Sequence, residues 1–165
     1  MQPRPEEIAL ESFEARAASA VDLPVLLGFV RDFWAHEGIA FEEAAVVRAL
    51  GELLANPALG RVFLLEVDEQ VVGYTVIGFG FSLEYRGRDA FLDELYLVPT
   101  FRERGLGAHV LAFVEATCRD LGIRALHLEV NRGNFRAQAL YRRRGFSGED
   151  RLLLTKWIAP DVPSA

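Results

Sequence analysis

Arg102, Gly105 and Gly107 stand in the order Arg-x-x-Gly-x-Gly inside PTFRERGLGA, directly after the apolar run FLDELYLV and at the opening of a stretch with helical periodicity. Glycines at a helix start let a ligand phosphate approach unpaired backbone N–H groups at the positive end of the helix dipole. This is chemistry for a phosphorylated ligand. It is not a Walker loop, because no Gly-Lys-Ser/Thr follows, and not a dinucleotide fingerprint, because Val110 occupies the third glycine position. Two carboxylates, Asp93 and Glu94, interrupt the apolar run itself, and strand alternation puts them on opposite faces unless a bulge intervenes. His36, His109 and His127 lack metal-ligand spacing, so no metal site is predicted. Ser12, Ser19, Ser82 and Ser147 form no nucleophile elbow, so no covalent intermediate on a serine is expected.

The elements that would position these residues follow from periodicity and turn chemistry. SFEARA over Ser12 to Ala17 alternates as a strand. Asp22 is a candidate N-cap with Pro24 in the first turn of a helix that runs to Gly38, and a second amphipathic helix runs from about Glu42 to Ala55 and ends at Asn56-Pro57. RVFLLEV and VVGYTVIGFGF read as two strands joined by a tight polar turn, followed by the polar link EYRGRD. FLDELYLV is a central strand, Glu103 to Leu121 a long helix, ALHLEV a strand, Asn134 to Arg144 a short helix, and RLLLTKWI a closing strand. The expected fold is mixed α/β: one mostly antiparallel central sheet with helices on both faces.

The 165 residues are 51% hydrophobic, which suits a single domain with an ordered core over about 12–158. The lone Cys118 allows no internal disulfide, no apolar run reaches the roughly 20 residues that span a bilayer, and the first residues lack the order of a secretory signal. The expected setting is cytoplasmic. Net charge is −6, which argues against nucleic-acid backbones as partners, yet Arg102 to Arg144 holds nine arginines against four acids. That stretch suits a small polyanion, and the acidic remainder suits a cation.

PTFRERGLGA resembles the pyrophosphate-binding signature of the GNAT superfamily of N-acetyltransferases, Arg/Gln-x-x-Gly-x-Gly/Ala, with Glu103 where many members have glycine. NFRAQALYRRRGF is similar to the second signature of that family, matched by Asn134, Ala137, Leu140, Tyr141, Gly145 and Phe146. The resemblance implies acetyl-CoA as co-substrate, lying in a V-shaped splay between the fourth and fifth strands. Its pantetheine arm would bond the backbone of Leu95, Tyr96 and Leu97 as an added strand would. The amides of Arg102, Glu103, Arg104, Gly105, Leu106, Gly107 and Ala108 would hold the pyrophosphate, and Asn134 would contact the pantetheine region. It implies direct acetyl transfer to a primary amine in a ternary complex. Tyr141 resembles the tyrosine that faces the thioester sulfur, and a phenol with a pKa of about 10 is a suitable proton donor to a departing thiolate. Glu94 and Glu129 are both candidates for the base that frees the amine, and a water chain with no single base is a third possibility.

In this fold the first two helices and the loop before the central strand choose the acceptor. Phe33, Trp34, Phe41, Phe79, Phe81 and Tyr85 with Asp32, Glu37, Glu42, Glu43 and Glu84 would suit a cationic amine with an apolar body. The residues leave two alternatives open: an acyl-CoA-binding sensor without activity, and a peptide N-terminal acetyltransferase. RLLLTKWI as an apolar edge strand would support a homodimer.

Overall fold

Alternation and turn chemistry are realised in the computed structural model, which describes residues 13–148 and 152–158, as one five-stranded sheet in the order β1-β2-β3-β4-β5. The strands are β1 Phe13–Ala17, β2 Gly60–Val67, β3 Gln70–Ser82, β4 Gly87–Leu97 and β5 Ala125–Leu128. The helices are α1 Leu23–Glu37, α2 Glu43–Ala55, α3 Leu106–Asp120 and α4 Phe135–Arg143. β1 through β4 pair antiparallel, and β5 joins β4 in parallel after the crossover through α3. The expected mixed α/β architecture, mostly antiparallel and flanked by helices, is the observed one.

Period-2 alternation gives the sheet two cores. Leu64, Tyr74, Val76 and Tyr96 face α1 and α2, where Leu26, Val30, Val46 and Leu50 are buried. Leu65, Ile77, Leu92 and Leu97 face α3, whose Leu106, Val110, Leu111 and Val114 repeat at helical spacing. The sheet therefore separates two independent apolar layers, and burial on both faces fixes its register.

Several boundaries differ from the sequence reading. α3 starts at Leu106 and not at Glu103, because Glu103 and Gly105 take φ of 69° and 80° and a helix cannot include left-handed residues. β4 begins at Gly87, so half of the polar link EYRGRD is strand, held by pairing with β3 from Ser82 to Gly73. β5 stops at Leu128 and leaves Glu129 and Val130 outside it. Asp22 is the N-cap residue of α1, as expected, but its carboxylate makes no cap bond to that helix; it accepts from the Ser19 N–H at 2.9 Å, across the short 3-10 turn Ala20–Asp22, and from both terminal nitrogens of Arg16. The closing strand is a correction. Residues 152–158 form no strand, and Leu152, Leu153, Leu154, Trp157 and Ile158 are exposed; Arg151 lies outside the described residues, as do the chain's first twelve. Strand-forming side chains supply half of what a strand needs; the other half is a partner edge, and none is engaged there. The edge on which the expected homodimer rested is not formed.

Candidate functional site

β4 is paired unequally on its two sides. β3 accompanies it throughout, but β5 pairs only from Asp89–Ala125 to Leu92–Leu128. Past those residues the parallel strands part, and from Asp93 to Leu97 β4 has no strand on that side among the described residues. The register slips at the same place: Ile77 opposes Leu92 and Val76 opposes Glu94, which makes Asp93 the extra residue of a bulge. A bulge re-aims side chains. Leu92 and Leu95 pack in the α3 core, whereas Glu94 turns toward α1.

The splay opens a cavity of about 150 Å³ lined by Phe33 and Glu37 of α1, Asp93 and Leu95 of β4, Glu129 after β5, and Asn134, Ala137 and Tyr141 of the α4 segment. A second cavity, of about 360 Å³, lies at the start of α3 between Leu97, Arg102, Glu103, Gly105, Gly107 and Ala108 and the α4 residues Arg136, Leu140 and Arg143. Asn134 and Ala137 line both cavities, so the two spaces meet along the first turn of α4.

Local reasons hold the α3 end in shape. Gly105 is the N-cap at φ 80°, a conformation costly for any residue with a Cβ. A Cβ on Gly107 would stand 3.3 Å from the Leu140 Cδ2, so glycine there lets α4 approach α3. The Arg102 Nε donates to the Leu97 carbonyl at 2.7 Å while its guanidinium lies 5.3 Å from the Tyr96 ring, which ties the loop back to the end of β4. Arg104 stacks over Phe101 at 5.3 Å, and Leu106 is buried in the core with only its backbone at the helix start. Glu103 forms an ion pair with Arg136, and both line the cavity at this end of α3. At the start of α3 the Leu106 and Gly107 N–H groups have no intrahelical acceptor, the Ala108 N–H donates to the Gly105 carbonyl at 3.0 Å, and Arg136 and Arg143 add positive charge to the same cavity, an arrangement suited to phosphates. Asn134 caps α4: its Oδ1 accepts from the Ala137 N–H at 3.1 Å.

The titratable groups around the splay have different surroundings. Burial pushes the Tyr141 phenol above its ordinary range, which keeps it a proton donor. Asp93 stands in the open mouth of the cleft, and the protein packed around it raises its carboxyl as well. Both oxygens of Glu94 already accept: from the Trp34 Nε1–H at 2.6 Å and from the Tyr74 hydroxyl at 2.6 Å. Glu94 thus stands away from the splay cavity, while Glu129, the other candidate base, lines it. Leu95 and Leu97 line the two cavities in turn, and Tyr96 between them is buried against α1. Of the acceptor-side aromatics, Phe33 reaches the cavity, Trp34 packs on Phe41 at 6.1 Å, and Phe79 lies between Arg61 and Arg88. Sequence reasoning missed Asp93, Arg136 and Arg143 as site residues. Arg136, Leu140 and Arg143 recur at helical spacing, a signal present in the sequence; the aim of Asp93 depends on the bulge.

A sequence model of the acetyltransferase (GNAT) family matches residues 27–146. Thialysine N-epsilon-acetyltransferase of Bos taurus is 35% identical over 75 residues, 46% of this chain and 44% of that protein. The matched stretch therefore spans less than half the length of that relative. Among solved structures, an integron cassette protein from the mobile metagenome of Cole Harbour Salt Marsh superposes with a TM-score of 0.78 at 38% identity, over 88% of this chain and 91% of the other. A predicted acetyltransferase from Clostridium acetobutylicum, crystallised with acetyl-CoA, shares the fold with a TM-score of 0.74 at 20% identity, over 87% and 96% of the two chains.

Proposed function

The chain belongs to the acetyltransferase (GNAT) family, and from that premise we propose that it transfers an acetyl group from acetyl-CoA directly to a primary amine. The observation that carries this reading is the pair of cavities joined at Asn134 and Ala137, one fitted for phosphates and the other holding a protonated phenol and three carboxylates. The solved relative that contains acetyl-CoA supports the same co-substrate.

The α3 amides, with Arg136 and Arg143, would hold the pyrophosphate, and the unpaired edge of β4 at Leu95 to Leu97 would bond the pantetheine amides as a neighbouring strand does. Asn134, whose Oδ1 is engaged with the Ala137 N–H, would join them through its Nδ2. Tyr141 would stand at the thioester and donate a proton to the departing thiolate. An amine is mostly protonated near neutral pH, so a base must take its proton before the nitrogen lone pair attacks the carbonyl carbon and the carbon–sulfur bond breaks. Asp93 and Glu129 line the reaction cavity and are the carboxylates we assign to that task, directly or through water. With Glu37 they surround the cavity with three acids, which suits a cationic acceptor on a flexible chain, in keeping with the relative named a thialysine N-epsilon-acetyltransferase.

Calorimetric titration with acetyl-CoA and free CoA, followed by thiol release against lysine, thialysine, diamines, aminoglycosides and short peptides, tests the reading. Micromolar binding with turnover on an amine is expected. Binding without turnover on any amine would favour the sensor alternative, and turnover confined to peptide N-termini the peptide alternative. Absence of CoA binding would overturn the proposal.

A further inference from the structure

Glu94 is the most constrained carboxylate near the splay. Its Oε1 accepts from the Trp34 indole of α1 and its Oε2 from the Tyr74 hydroxyl of β3, each at 2.6 Å, and its backbone carbonyl accepts from the Thr75 hydroxyl at 2.9 Å. Tyr74 and Thr75 are fully buried. Burial disfavours the charged form of Glu94 and the two donors favour it, with burial prevailing, so the carboxyl is raised overall. A base must reach the proton it removes, and the cavity beside Tyr141 is lined by Asp93 and Glu129, with Glu94 outside it.

The position of this carboxylate in the fold suggests its task. It directly follows the bulge residue Asp93, so fixing Glu94 on the α1 side fixes the slip that leaves Asp93 in the cleft. Its partner Trp34 lies on α1 between Phe33 and Glu37, both of which wall the cavity. The same end of α1 reaches the far side of the splay, where the Glu37 Oε2 accepts from the Asn131 Nδ2–H at 3.0 Å. α1 is thereby tied to both lips of the opening, to β4 through Glu94 and to the loop after β5 through Glu37.

We infer that Glu94 is a positioning residue: together with Trp34 and Tyr74 it clamps the acceptor wall of α1 to the bulge of β4, and the amine's proton goes elsewhere. The inference rests on the transferase reading above and separates two roles for a strand carboxylate that the sequence alone leaves merged.

Two substitutions separate the roles. In Glu94→Gln the amide oxygen accepts from Trp34 and the amide nitrogen donates to the Tyr74 oxygen, so both ties survive while the proton acceptor is gone. Glu94→Leu keeps the volume and leaves both donors without partners. With the best amine from the panel, E94L raises acceptor KM at least tenfold and leaves acetyl-CoA KM within about twofold. E94Q recovers kcat to within about threefold of wild type and keeps the acid limb of the kcat/KM profile, which Asp93→Asn moves or removes. Should E94L fail to fold, Trp34→Phe and Tyr74→Phe each remove one tie and reproduce the rise in acceptor KM. The inference is overturned if E94Q loses kcat a hundredfold together with its acid limb, or if the two KM values rise equally in E94L. Wild-type protein with no turnover on any amine overturns the transferase reading and the positioning role with it. The Trp34 indole N–H resonance, shifted to that of an unbonded indole in E94L and still that of a hydrogen-bonded one in E94Q, distinguishes that failure from a clamp that does not form.

Discussion

Tyr141 illustrates how an ordinary residue becomes useful through its surroundings. It packs edge-on against Phe146 at 5.8 Å, lines the splay cavity and is kept protonated by burial. Tyr141→Phe keeps the ring and removes the proton, so kcat should fall about 10- to 100-fold with both KM values nearly unchanged, as thiol-release kinetics would record. The residue-level site was legible where motif spacing carries it: Arg102, Gly105, Gly107, Asn134 and Tyr141 all meet at the joined cavities. It was not legible at Asp93 and Glu94. Strict alternation assigns faces by counting, and one extra residue in β4 changes the result from Asp93 onward. The roles of the two glycines also differ from what spacing suggests, since one meets a backbone requirement and the other makes room for Leu140.

Elements were legible where a periodic run had a clear stop. α1 ends at Gly38 with φ 71°, α2 ends before Asn56-Pro57, and both follow from local chemistry. The turn between β2 and β3 was placed correctly but is built from unsuited residues: Asp68 and Glu69 take φ of 50° and 63°, the geometry that Asn-Gly adopts readily. The double change Asp68→Asn with Glu69→Gly should therefore stabilise the protein by about 1 kcal/mol, read from the urea midpoint at unchanged slope. Residues 152–158 were read as a strand because composition reports a side chain's preference and is silent on whether a partner edge is within reach.

At the scale of the whole molecule the sheet lies between the two cores, with Val98 past the end of β4 packed against both, and a charged contact secures one margin of the sheet. Arg16 of β1 binds Asp22 ahead of α1 and Glu66 of β2, and the Arg16 hydrogen bonds to Asp22, with that of the Ser19 N–H, hold the Asp22 carboxyl at about 2, below its ordinary 3.8. A depressed carboxyl contributes stability that is complete above the unfolded pKa and is lost as pH falls through the folded one. Urea unfolding between pH 5 and pH 2 should show that loss, and Arg16→Met should flatten it. Charge also acts across the ligand path of this chain with net charge −6. Glu103 holds Arg136 at the lip of the larger cavity before any ligand arrives. If the pyrophosphate binds there as proposed, this carboxylate is a resident decoy, a small anion that the phosphate would have to evict to reach the same guanidinium, and association would become an exchange of counter-ions. Both partners face solvent, which limits the effect to about 1 kcal/mol or less. Glu103→Gln should tighten acetyl-CoA binding a few-fold at low salt, and added salt should erase that advantage as it screens the occupied pair and the approaching ligand together.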